Sequence, residues 1–180
     1  FSMVKQLRKT CDIPLAFMTY SNPVYVYGPE KFLNECVLCK MDALIVPDMP
    51  FEEKGELSPL CEKYGVDLIS LIAPTSEKRI LKIAKEAQGF LYCVSSMGVT
   101  GMRSKINTDI GKMTALAKSA SSIPVAVGFG VSTPQQAQQM VQYADGVIVG
   151  SAIVRLCEQY GTDCIEPVCC YIKEMKAAIS

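Results

Sequence analysis

The chain has 180 residues, 49% of them hydrophobic, with 18 Lys plus Arg against 18 Asp plus Glu and no histidine. That apolar content excludes a disordered chain. The even charge leaves no electrostatic footprint for nucleic acid or an anionic membrane. No apolar run approaches the ~18–20 residues that span a bilayer, and Phe1–Thr10 lacks the long apolar core of a signal peptide.

Nine cysteines make an odd count, so they cannot all pair within one chain. They are spread through candidate helices and strands, and the expectation is reduced, mostly buried thiols in a cytosolic protein. Cys36–Cys39 has CxxC spacing and Cys169–Cys170 is a vicinal pair, but neither has a second pair at zinc-site spacing. Without histidine the commonest general base and metal ligand is missing, and no metal site is expected.

In chain order, Phe1–Lys9 reads as the end of a helix. Apolar, β-branched runs follow at Pro14–Tyr20, Ala43–Met49, Asp67–Ala73, Phe90–Ser95, Pro124–Gly128 and Gly146–Val149. They are short and nearly continuous, as suits parallel strands covered on both faces. Between them lie stretches with helical spacing. Pro29–Lys40 opens with Pro and Glu, which suit a first turn, and Glu52 and Glu53 favour the start of another helix. Ser76 can cap a helix with Ile80, Ala84 and Ala87 as its stripe. Thr108–Ala120 and Thr133–Tyr143 read as helices, the second with Thr133 as cap and Pro134 at its first position. Val168, Ile172, Met175 and Ile179 share a stripe of a closing helix.

Strands alternating with helices predict a parallel sheet with right-handed crossovers. Three segments join an apolar run to glycine and a small hydroxyl residue: Ser95–Arg103 (SSMGVTGMR), Val125–Ser132 (VAVGFGVS) and Gly146–Val154 (GVIVGSAIV). Glycine lets backbone N–H groups approach a phosphate without a Cβ in the way. The last two segments lie about one βα unit apart, where a β/α barrel builds its phosphate site from the loops after its final strands. The expected fold is therefore a (β/α)8 TIM barrel truncated to about six βα units, with residues 1–180 forming a single partial barrel domain and two units expected before Phe1. A complete six-stranded open α/β sheet is the alternative; the glycine loops favour the barrel.

Ser95–Gly101, Gly128–Phe129–Gly130 and Gly150–Val154, with Tyr20–Pro23 and Val46–Pro50 upstream, resemble the tryptophan synthase alpha subunit family across essentially the whole chain. GVTG is the specific segment; GFG followed by GSA alone marks only phosphate-binding barrels. The resemblance implies retro-aldol cleavage of indole-3-glycerol phosphate to indole and glyceraldehyde 3-phosphate. It implies no cofactor in this subunit, and a pyridoxal-phosphate beta subunit as partner in a heterotetramer. It places the phosphate at Gly101, Gly130, Gly150 and Ser151, and the indole against Met18, Ile45, Ile72, Tyr92, Thr100 and Phe129. Ser96–Arg103 is expected to act as a lid, and Asn22 and Pro50 fall in loops that meet the beta subunit. The family's catalytic Glu and Asp are expected upstream of Phe1, so no catalytic residue is assigned in this chain. Asp48, at a strand end, reads as a loop or interface residue. Another phosphate-binding barrel enzyme and a non-catalytic alpha-like protein that binds a beta subunit remain the competing readings.

Overall fold

The computed structural model of the chain describes residues 1–94, 103–128 and 130–180, with the backbone alone over 103–109. Its contacts divide it into two compact units, Phe1–Leu71 with Glu86–Gly89, and Ile72–Lys85 with Phe90–Ser180.

The first unit runs α1 (Ser2–Leu7), β1 (Ala16–Met18), α2 (Ser21–Tyr27), α3 (Pro29–Leu38), β2 (Ala43–Ile45), a 3-10 turn over Phe51–Glu56, α4 (Ser58–Tyr64) and β3 (Asp67–Ile72), whose last residue belongs to the second unit. β2 pairs in parallel with both β1 and β3, with Met18 opposite Ile45 and Ile45 opposite Ile69. Leu33, Cys36, Leu44, Leu57 and Cys61 are fully buried at the centre of its core. Phe1 packs edge-on to Phe17 and Phe32 at centroid distances of 5.4 and 5.3 Å, an arrangement favoured by the ring quadrupoles. Lys40 turns the chain into β2 with a positive φ of 56°. The Arg8 guanidinium holds that turn by donating to the Lys40 carbonyl and to Asp42 at 2.7 Å.

The second unit runs α5 (Glu77–Lys85), β4 (Leu91–Val94), α6 (Arg103–Ala120), β5 (Val125–Gly128), α7 (Pro134–Met140), β6 (Gly146–Ile148), α8 (Ser151–Tyr160), a 3-10 turn over Gly161–Asp163 and α9 (Ile165–Ala177). β5 pairs in parallel with β4 and β6. Among the described residues, all six apolar runs form strands, and β1–β2, β2–β3, β4–β5 and β5–β6 all pair in parallel, as expected.

Four sequence expectations need correction. The strands are shorter than their apolar runs: before β1, the Leu15 N–H goes to the Asp42 carboxylate at 2.7 Å, and after β2, Pro47 has no N–H to offer a ladder. α6 starts at Arg103, ahead of the expected Thr108, because the polar stretch Ser104–Thr108 carries no apolar stripe to announce it. α7 ends at Met140 rather than Tyr143, since the Tyr143 and Ala144 N–H groups both turn back to the Met140 carbonyl. The cysteines are less buried than expected. Cys36, Cys39, Cys61 and Cys93 are core, while Cys157, Cys169 and Cys170 are exposed, and all nine are free thiols. Burial pushes the Cys36, Cys61 and Cys93 thiols up to about 12, which leaves them unreactive.

Candidate functional site

β5 and β6 are the elements that position the site. Gly128, the last residue of β5, lies opposite Ile148, the last residue of β6. Parallel neighbours about 4.8 Å apart that end in register release their loops side by side, at the strand C-terminal ends where α/β folds bind ligands. One loop carries Gly130 and the other Gly150 and Ser151, and all three are exposed.

The two helices that follow treat their N-termini differently. At α7, the Thr133 hydroxyl accepts from the Gln136 N–H at 3.2 Å, and the Gln136 side chain accepts in return from the Thr133 and Ser132 N–H groups at 3.2 and 2.8 Å. This capping box satisfies the helix from its own side chains. At α8, the N-cap is Gly150, and no side chain caps it. The opening N–H groups of the ten-residue α8 have no intrahelical acceptor. They form a donor set that an anion can fill, reinforced by the helix dipole.

The glycines differ as well. Gly130 has a φ of +81°, a left-handed conformation that other residues adopt only with strain. Gly150 has a φ of −122°, and a Cβ built there would meet no atom of the described residues within 4 Å. Folding therefore demands glycine at 130, whereas at 150 the described residues leave room for a side chain.

Tyr92 on β4 lies opposite Ala126 and reaches diagonally over Gly128. A Cβ at Gly128 would sit 2.5 Å from the Tyr92 hydroxyl and 2.6 Å from Cζ. The ring is only 8% exposed, and burial raises its pKa, so it stays a neutral phenol. It can donate or accept a hydrogen bond near the strand ends.

Three contacts that hold this region were not legible in advance. The Tyr171 hydroxyl of α9 donates to the Ser132 carbonyl at 3.0 Å. Gln136 binds the same loop. Asp145, just before β6, accepts from the Val125 N–H and from the Lys118 ammonium, both at 2.8 Å. The Lys118 hydrogen bond, then the Val125 N–H, hold its carboxyl below the usual range.

In the first unit, Met18 and Ile45 are neighbours across β1 and β2; Met18 is 55% exposed and Ile45 is buried. Ile72, at the end of β3, is fully buried. Asp48 accepts from the Ser21 N–H and hydroxyl, both at 2.8 Å. Against a desolvation that pushes its carboxyl up, the Ser21 bonds keep it below the usual value. Asp48 thus serves as a fixed anionic cap for α2 and is poorly suited to donate a proton. These bonds also bring together the neighbourhoods of Asn22 and Pro50, both exposed. Thr100, Gly101 and Phe129, and the expected lid up to Met102, lie outside the described residues. Arg103, assigned to that lid, is the first residue of α6.

Loops released side by side after adjacent, register-matched parallel strands, one of them opening an uncapped helix, fit a β/α fold of the TIM-barrel family. The family model of the tryptophan synthase alpha chain matches residues 1–180. The alpha chain of Lactiplantibacillus plantarum is 51% identical over 157 residues, covering 87% of this chain and 60% of that protein. The Geobacillus stearothermophilus alpha chain is 45% identical over 179 residues, covering 99% and 65% respectively. Among solved structures, the alpha subunit from Campylobacter jejuni superposes with a TM-score of 0.87 at 35% identity, over 97% of this chain and 70% of that one. The Pyrococcus furiosus tryptophan synthase α2β2 complex gives 0.87 at 31% identity, over 98% and 72%. This chain belongs to the tryptophan synthase alpha chain family. It spans about 60% of the length of the Lactiplantibacillus relative, and its fold is that of six βα units of the family's barrel.

Proposed function

We propose that this chain forms the phosphate- and indole-binding part of a lyase that cleaves indole-3-glycerol phosphate to indole and glyceraldehyde 3-phosphate in tryptophan biosynthesis. Family membership supports the reaction. The observation that carries the site is the uncapped N-terminus of α8 beside the left-handed Gly130. In this reading the substrate phosphate takes the N–H groups at Gly150–Ser151 and those around Gly130 and Gly101. The resemblance assigns the indole contacts to Tyr92, Ile72, Ile45, Met18, Thr100 and Phe129, and the neutral Tyr92 phenol supports a polar contact there.

The chemistry needs a proton delivered to indole C3, a partner for the ring N–H, and removal of the glycerol hydroxyl proton as the C–C bond breaks. Two carboxylates of different pKa suit these tasks. The resemblance matches that Glu and Asp to no residue of this chain, and Asp48 is committed to Ser21. A beta subunit that receives the indole meets the loops at Asn22 and Pro50, and the compartment is the cytoplasm. No cofactor is assigned to this chain.

The test is steady-state turnover of indole-3-glycerol phosphate by the purified 180-residue chain beside a full-length relative. Absence of one acid–base group costs about 10²–10⁴-fold, so turnover at least that far below the relative is expected. Turnover equal to the relative would overturn the assignment of roles. Tyr92→Phe is expected to leave inorganic phosphate binding intact and to weaken only ligands that carry an indole.

A further inference from the structure

A cleft of about 220 Å³ opens in the first unit where α1 and α3 end, lined by Lys5, Arg8, Lys9, Leu38, Cys39 and Lys40. Four of these residues are cations, and two carboxylates bond to them: Glu35 takes the Lys5 ammonium at 2.9 Å and Asp42 takes Arg8 at 2.7 Å. Arg8 has a structural task. Its side chain is only 9% exposed, and its N–H groups go to the Lys40 carbonyl twice, to the Cys11 and Ile13 carbonyls and to Asp42. Its charge remains, but no donor is left over. Lys9 and Lys40 differ, because among the described residues their ammonium groups have no acceptor. The helix ends offer none either. The carbonyls of Val4, Gln6 and Leu7 in α1, and of Glu35, Cys36 and Val37 in α3, already accept from the chain's own N–H groups. Lys40 also stands where glycine is usual. The Met41 N–H returns to the Cys36 carbonyl and the Lys40 N–H to the Val37 carbonyl, both at 2.9 Å, so Lys40 is the left-handed residue of a Schellman ending, with a φ of +56°. A lysine there carries a strain that glycine avoids, and its ammonium gains no bond within the described chain in return.

We propose that this cleft binds a small anion with several phosphoryl oxygens, of which inorganic pyrophosphate is the simplest. The volume is below the roughly 300–1,000 Å³ of sites for drug-sized ligands, so the ligand is small. No aromatic residue lines the cleft to stack a base, which disfavours a nucleotide. The donors on offer are ammonium groups on flexible stems, which act as point charges for phosphoryl oxygens. The one guanidinium that would grip a planar carboxylate in a fork has spent its N–H groups. Lys9 and Lys40 therefore supply the hydrogen bonds, and Arg8 adds charge from behind. Lys5, shared with Glu35, is a weaker contributor. The cleft shares no residue with the loops after β5 and β6, and nothing in this inference depends on the lyase reading.

The 180-residue chain is titrated with pyrophosphate at about 20 mM salt, where exposed charges are weakly screened, and followed by NMR. Amide shifts are expected at Lys9, Thr10, Lys40 and Met41. Lys9→Gln and Lys40→Gly should each weaken this binding about three- to tenfold, and the double variant should abolish it. Lys40→Gly keeps the fold, because glycine takes the positive φ without strain; thermal unfolding alongside verifies this. Lys173→Gln, on α9 and away from the cleft, should bind as the unmodified chain does. Citrate, of comparable charge but built on planar carboxylates, should bind more weakly than pyrophosphate. Absence of shifts at Lys9 and Lys40, equal binding by the folded double variant, an equal loss in Lys173→Gln, or citrate binding as tightly as pyrophosphate would each overturn the proposal.

Discussion

Tyr92 and Gly128 form a matched pair. The ring occupies the volume that a side chain at 128 would need, so glycine there is a packing requirement rather than a turn requirement. Gly128→Ala is expected to destabilise the chain by about 1–3 kcal/mol, as overpacking does. The same substitution in a Tyr92→Ala background should cost much less, because the clashing atoms are gone. Urea denaturation of the two single variants and the double variant measures the coupling. Additive losses would mean that the ring does not rest on Gly128. The GFG motif pointed to phosphate, but periodicity gives no sign that its first glycine serves a tyrosine 36 positions earlier in the chain.

At the scale of elements, β5, β6 and α6 are tied by Asp145. Its carboxylate takes the first N–H of β5 and the Lys118 ammonium of α6. Its pKa lies below the usual 3.8 in the folded chain. A depressed carboxyl stabilises the fold fully above the unfolded value, and that stabilisation is lost as pH falls through the folded value. The group is half exposed, so its share is discounted for screening to roughly 0.5–1 kcal/mol. Asp145→Asn should therefore lower stability by about that much at neutral pH and show a shallower decline between about pH 5 and pH 2. Denaturation curves across that range are the check, and equal acid limbs for both proteins would remove Asp145 from the account.

The whole molecule shows which signals survive in a linear sequence. Buried parallel strands leave continuous apolar runs, and helix starts leave local marks such as Thr133–Pro134, so the βα alternation was legible. The turn at Gly130 and the start of α8 after Gly150 were legible because a glycine that ends a strand or opens a helix stands next to that element in the chain. Tyr171 on Ser132 and Asp145 on Val125 were not, because they join residues 39 and 20 positions apart through single hydrogen bonds. The cysteine reading failed in the C-terminal helices for a related reason. α9 buries only Met175 among its residues, so apolar spacing overstated how much of that helix is covered.

In the proposed function a phosphate ester binds between the loops after β5 and β6. The most direct measurement is an NMR titration of the isotope-labelled chain with glycerol phosphate. It is run on the unmodified protein and on Gly150→Val, with thermal unfolding of both alongside. A Cβ at 150 meets no atom of the described residues within 4 Å, so the variant should stay folded with a stability loss of about 1 kcal/mol or less. Amide shifts centred on Gly130, Gly150, Ser151 and Ala152 are expected in the unmodified chain, together with their loss in the folded variant. Shifts confined to other residues, or equal binding by Gly150→Val, would contradict it.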